Sequence, residues 1–274
     1  MVQKLVLFFL ITTFLCAKAS LKDEAYLHPV DAIAPYTLKE GEWIYAQSLV
    51  TIPIPSWAFV GITDNLTAEL DFAPWLYGSF TELEKPIPSF NFRYKFFDQY
   101  GILPTFAVEV MYVYFWDTLK RYETSNVAVW QKGAYYHIKP VIGYRVGDWG
   151  INISVGSDYI GEQITKNVIT SANKTISNEW NTNYSIGIDY RPSDWISYHI
   201  GYSQGATFTF LENTTGKTQL DYGMRIAPFI GSSSGFWSSF RIELVAINAY
   251  FADVDALESF SLPIYPYFYW QWGY

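Results

Sequence analysis

The sequence predicts an all-β fold: one transmembrane, antiparallel, up-and-down β-barrel of about 12 strands, preceded by a signal peptide. Three observations carry this. Residues 265–274 (YPYFYWQWGY) alternate at the period of two that a strand imposes. Phe268, Trp270, Trp272 and Tyr274 fall on one face, with Tyr265, Tyr267, Tyr269, Gln271 and Gly273 on the other. The N-terminal residues have the pattern of an export signal. Between these ends, tight turns alternate with long polar connections, which is how consecutive antiparallel strands are joined.

The first 20 residues place Lys4 before an apolar stretch over 5–15 and then Ala17-Lys18-Ala19. A short basic region, an apolar core too short to span a bilayer and a small-x-small ending predict cleavage after Ala19. Residues 1–19 are thus read as signal peptide, 20–41 as a polar periplasmic leader and 42–274 as the barrel domain. The single cysteine, Cys16, falls within the signal, and Leu15 before it makes a poor lipidation site. Cleavage leaves a chain without thiols, which excludes disulfides and thiolate metal sites.

Composition points the same way. The chain has 274 residues, 20% aromatic and 16% charged, against about 25% charged in average globular proteins. Mean hydropathy is only +0.04, and no later run reaches the ~18 apolar residues a membrane helix needs. Strands that alternate lipid-facing and inward-facing residues give such a modest mean with many aromatics. The net charge of −8 argues against a nucleic-acid partner, which would need a basic stripe, and losing Lys4 and Lys18 makes the balance more acidic.

In chain order, tight turns are expected at 63–65, 98–101, 147–150, 192–194 and 231–235, where Gly, Asp, Asn, Ser and Pro gather. Longer connections are expected near 51–56, 78–88, 117–131, 161–180, 211–218 and 251–262. The first strand is placed near 42–50, pairing with the last. In 89–96, Phe90, Phe92, Tyr94 and Phe96 lie opposite Asn91, Arg93 and Lys95. In 183–190, Tyr184, Ile186, Ile188 and Tyr190 oppose Ser185, Gly187 and Asp189, and 196–203 repeats the pattern. A soluble sandwich shows the same period with its apolar face turned inward. Pro74, Pro104, Pro140, Pro228 and Pro266 fall in or near these strands, and Pro140 calls for a bulge. The strand at 57–62 is short against the ~9–11 residues that cross a bilayer.

The export leader, the alternating strands and the aromatic last strand together resemble bacterial outer-membrane β-barrel proteins as a class, with no single family indicated. The resemblance implies an outer-membrane location, lipid around the wall, and recognition of the terminal strand by the barrel assembly machinery. It also implies short turns facing the periplasm and long loops facing outward. Tyr274 departs from the Phe or Trp more usual at the last position of that class.

The polar strand faces would line the interior. Lumen candidates are Arg93, Lys95, Glu109, His137, Lys139, Arg145, Asp189, His199, Asp221, Arg225, Arg241 and Glu243, with Glu69, Asp71, Asp158 and Arg191 on the same faces. Both signs are represented. Either the charges pair and fill the barrel, or they line a thin aqueous path. The expected function is a passive channel for small polar solutes. The alternatives are a closed barrel with a structural, adhesive or assembly role, and a lipid-acting enzyme. The segment 161–180, rich in Asn, Thr and Ser, is the candidate for a loop folded into the lumen, against an ordinary surface loop.

An enzyme is not expected. The best catalytic grouping is Asp189, Ser197 and His199: a turn centred on Ser193 would set Asp189 opposite Ser197, with His199 diagonal on the same face. Such a triad needs mutual reach and an oxyanion donor, and no donor is identifiable. No His or Cys cluster has metal-ligand spacing and no glycine-rich phosphate loop follows a strand, so neither metal nor cofactor is expected.

Overall fold

The computed structural model describes residues 34–48, 57–71, 89–122, 127–160, 163–167, 173–176, 179–204, 218–249 and 265–272. Its strands are β1 (Trp43–Ser48), β2 (Trp57–Thr63), β3 (Leu66–Asp71), β4 (Ser89–Phe97), β5 (Thr105–Tyr122), β6 (Val127–Val146) and β7 (Trp149–Ile160). They continue with β8 (Gln163–Asn167), β9 (Asn173–Ile176), β10 (Glu179–Tyr190), β11 (Ile196–Gln204), β12 (Thr218–Ile226), β13 (Phe240–Ala249) and β14 (Tyr265–Trp272). One helical turn, α1 (Gly235–Ser238), precedes β13. Every strand except β8 and β9 enters a closed antiparallel barrel of 12 strands, as the turn count predicted. The ring closes where β14 meets β1, from Trp43↔Trp272 to Ser48↔Tyr267.

The wall carries its apolar side chains outward. Phe92, Tyr94, Val110, Ile138, Ile142, Ile151, Ile153, Val155, Ile186 and Ile200 are exposed, while their chain neighbours Asn91, Arg93, Glu109, His137, Lys139, Asn152, Ser154, Ser185 and His199 are buried. That is the reverse of a soluble sandwich, whose apolar faces pack on each other. On β14, Tyr269 and Gln271 point inward and are buried, and Phe268 and Trp270 are half-buried on the other face.

Two expected loops are instead strands. β5 and β6 stay paired past a bulge at Phe115/Thr118 as far as Tyr122↔Val127, leaving only 123–126 between them. The β-branched and aromatic residues Tyr122, Val127, Val129 and Trp130 favour continued pairing over the coil their polar neighbours suggested. The 161–180 segment contributes β8 and β9, which pair with each other and with β6 through Val129↔Asn167 and Trp130↔Lys166. These strands extend the sheet instead of folding into the barrel.

The prolines are also accommodated differently. Pro104 directly precedes β5, Pro266 is the second residue of β14, and Pro228 lies outside the strands; Pro74 falls outside the described residues. Pro140 is paired with Val108 of β5. Toward β7 the ladder passes from Ile138↔Ser157 to Val141↔Ser154 without a change of register. The expected bulge is therefore replaced by an interrupted stretch of ladder, the simplest answer to a residue with no N–H to give.

The tight connections 64–65, 98–104, 147–148, 191–195 and 227–239 share one end of the barrel with the start of β1. Segment 34–40, just before β1, is also at this end, where Ala34, Pro35, Thr37 and Leu38 are buried.

Candidate functional site

The site is the barrel interior at the short-turn end. There the segment 34–40 reaches as a strap from β3 and β4 to β6. The Leu38 N–H donates to Thr67 Oγ1 (2.8 Å), and Thr37 Oγ1 donates to the Asp64 carbonyl (2.7 Å). Glu40 N–H reaches Asp64 Oδ1 (3.0 Å), and Arg93 Nη1 donates to the Tyr36 carbonyl (3.3 Å). These bonds hold the strap to β3 and β4. Its other flank touches β6, where a Cβ at Gly143 would lie 2.5 Å from Pro35 Cγ. At Gly61 an added Cβ would overlap the Lys39 carbonyl, so the strap needs both positions bare. Tyr36 sits within the fields of Arg145, Asp189 and Arg191; burial pushes its phenol above the usual range, with Arg145 pulling the other way.

Next to the strap lie two ionic groups. In the first, Glu109 Oε2 accepts from Arg93 Nε (3.1 Å) and Nη2 (2.5 Å), and Glu109 Oε1 meets His137 Nε2 at 3.1 Å. Lys139 is the cross-strand partner of Glu109 and is buried with it. Cross-strand register brings them together, because Arg93↔Glu109 and Glu109↔Lys139 are facing pairs on three adjacent strands. In the second, Asp189 Oδ2 accepts from Arg145 Nη1 (2.6 Å) and Arg191 Nε (3.0 Å). Glu109 is 1% exposed and Asp189 0%, so each carboxylate depends on its cations for solvation. Ser154 and Ser185 hydrogen-bond to each other, and Asn91 Nδ2 donates to Glu69 Oε2 (2.9 Å). A small cavity remains among Phe59, Thr67, Glu69, Asn91 and Arg93.

The remaining predicted interior residues are distributed as follows. His199 Nδ1 lies 3.9 Å from Glu243 Oε1. Arg225 Nε donates to Ser197 Oγ (3.4 Å). Arg241 Nη1 donates to the Ser238 (2.6 Å) and Phe240 (3.1 Å) carbonyls, tying β13 to α1. Lys95 pairs with Asp98 at the rim (2.8 Å), the latter exposed. The backbone of Asp221 faces Gly201 and Ile247, and its side chain is outside the described residues.

The Asp189–Ser197–His199 geometry needs correction. The β10–β11 register pairs Tyr190 with Tyr198 and Asp189 with His199, so the hairpin centres on Asp194 and Ser197 is the diagonal residue. Asp189 is committed to two arginines, and Ser197 Oγ accepts from Arg225. Among the described residues no His, Cys, Asp and Glu gather as metal ligands. The strap escaped the sequence reading, which merged residues 34–40 with a polar leader. The buried Ala34, Pro35 and Leu38 were its only signal, too sparse to show a period.

The sequence matches no protein-family model and no curated protein.

Proposed function

We propose that the chain is a bacterial outer-membrane barrel whose polar passage is held shut at the periplasmic end by residues 34–40. The observation that carries this is the strap reaching from β3 and β4 to β6 at the short-turn end, next to the Arg93–Glu109–His137 and Arg145–Asp189–Arg191 groups. Outward apolar side chains around a closed hydrogen-bonded ring suit lipid, where every backbone group must be satisfied internally. The polar inward face would serve passage of small polar solutes once the strap withdraws; a closed structural barrel filled by the paired charges is the second reading. Mixed charge implies weak ion selectivity. Insertion through the assembly machinery by way of β14 belongs to the same reading, and hydrolysis does not.

Planar-bilayer recording tests this. The native chain is expected to be silent or to flicker briefly, whereas Gly61→Val, which pushes the Lys39 backbone away, is expected to give sustained openings. Steady conductance by the native chain would overturn closure by the strap. Silence of the variant as well would leave a structural barrel.

A further inference from the structure

The connection between β12 and β13 is unlike the other turns at its end. From Ile226 through Phe240 it reads IAPFIGSSSGFWSSF, with no Asp, Glu, Lys or Arg. The other tight connections each carry charge: Asp64, Asp98, Asp148, and Arg191 with Asp194. Yet this uncharged segment leaves large rings open, with Phe229 44%, Phe236 37% and Trp237 48% exposed.

These rings continue the outer wall. Phe236 lies 5.4 Å from Trp270 between ring centroids, and Phe240 lies 5.2 Å from Trp270 and 6.0 Å from Phe268. Phe229 contacts Trp237 at 5.2 Å and Phe240 at 6.3 Å. The end of the segment next to β13 is tied to the protein: Ser238 and Ser239 are buried, the Ser238 carbonyl accepts from Arg241, and the Ser239 carbonyl accepts from Gln271 N–H, while Ser233 and Ser234 are exposed. That end is thus bonded to the rim, while the rings extend the aromatic outer face beyond the last strand residues.

We propose that residues 227–239 form a membrane foot: a segment lying in the headgroup region of the periplasmic-side leaflet, with Phe229, Phe236 and Trp237 in contact with phospholipid. Continuity with the outward row of Phe240, Phe268 and Trp270 selects lipid as the occupant, as does the lack of charge over 226–240. Aromatic rings concentrate at this depth of a bilayer, where apolar ring faces and polar backbone can both be accommodated. Exposed apolar side chains also occur on the turns at 98–104 (Tyr100, Ile102, Leu103) and 191–195 (Trp195), but those turns expose the charges of Asp98 and Asp194 as well, so the lack of charge is what sets the foot apart. The proposal rests on the outer-membrane reading above.

Site-directed spin labelling in a Cys16→Ser background separates the two. Single labels at Phe236→Cys, Trp237→Cys, Asp194→Cys and Ile153→Cys are examined in phosphatidylethanolamine–phosphatidylglycerol vesicles. Collision with oxygen, which concentrates in lipid, is compared with collision with a water-soluble nickel chelate. Oxygen-dominated signals at positions 236, 237 and 153, with a nickel-dominated signal at 194, are expected. The depth at 236 and 237 should be shallower than at 153. Nickel-dominated signals at 236 and 237 beside an oxygen-dominated 153 would overturn the foot and leave the membrane reading intact. A nickel-dominated 153 would sink the membrane reading itself. Persistence of the compact unheated band in gel electrophoresis shows that each labelled variant is folded.

Discussion

Two arcs of the same rim solve opposite problems. Along β3–β7 and β10 the interior side is specialised: ions pair across neighbouring strands and the strap docks next to them. Along β12–β14 the exterior side is specialised, with rings packed on one another from the last strand into the turn. The difference lies in what each face can use for solvation. A buried carboxylate has only its neighbours, so its partners are fixed by register. An outward ring carries no charge to solvate and tolerates loose geometry. Substitutions of the inward ions should therefore cost far more than those of the outward rings.

The largest effect is expected at Glu109. Glu109→Ala leaves Arg93, Lys139 and His137 buried around a missing carboxylate, which should cost about 3–5 kcal/mol, read as a lower urea midpoint for unfolding from vesicles. The pair Arg93→Met with Glu109→Leu should recover much of that loss, because apolar replacement of both partners removes the uncompensated charge. Full loss in the double variant would place the stabilisation in something other than the pairing.

Next in size is the strap. Gly143→Val crowds Pro35 and should destabilise by about 1–3 kcal/mol through overpacking, with a gain of channel openings. In the second arc, Trp237→Ala should change the unfolding midpoint by no more than about 1 kcal/mol, the scale of a lost aromatic pair. It should slow insertion into vesicles and leave conductance unchanged. An effect on openings at Trp237 would erase the contrast between the arcs.

The smallest expected effect is alkaline. Burial raises the Tyr36 phenol, so the docked strap prefers the neutral ring. That preference is fully present below the free tyrosine value of about 10 and is lost as pH rises through the raised value in the folded protein. Openings should increase above about pH 10 in the native chain and much less in Tyr36→Phe, compared in the same bilayers.

The wall was legible in the sequence because a strand repeats every two residues: Arg93 against Tyr94 or Asp189 against Ile188 declares its side at once. Turn positions were legible through Asp64, Gly147 and Asp194, although the hairpin centre at Asp194 differs by one residue from the Ser193 expected. That single step exchanged Ser197 for His199 opposite Asp189. Contacts that depend on closure were not legible. Arg93 reaching Tyr36 and Pro35 resting on Gly143 join residues far apart along the chain, and no local period encodes them. Likewise, β5 and β6 outran their predicted ends because pairing with a neighbour outweighs the composition of a short stretch.

The seam between β1 and β14 brings residue 43 against residue 272, so the ring cannot close before its final strand is in place. Until β14 arrives, both margins of the growing sheet present unmet hydrogen-bonding groups and an apolar outer face. Such a state is slow to resolve and prone to self-association. Delay in supplying the last eight-residue strand is thus the point at which closure and self-association compete most directly.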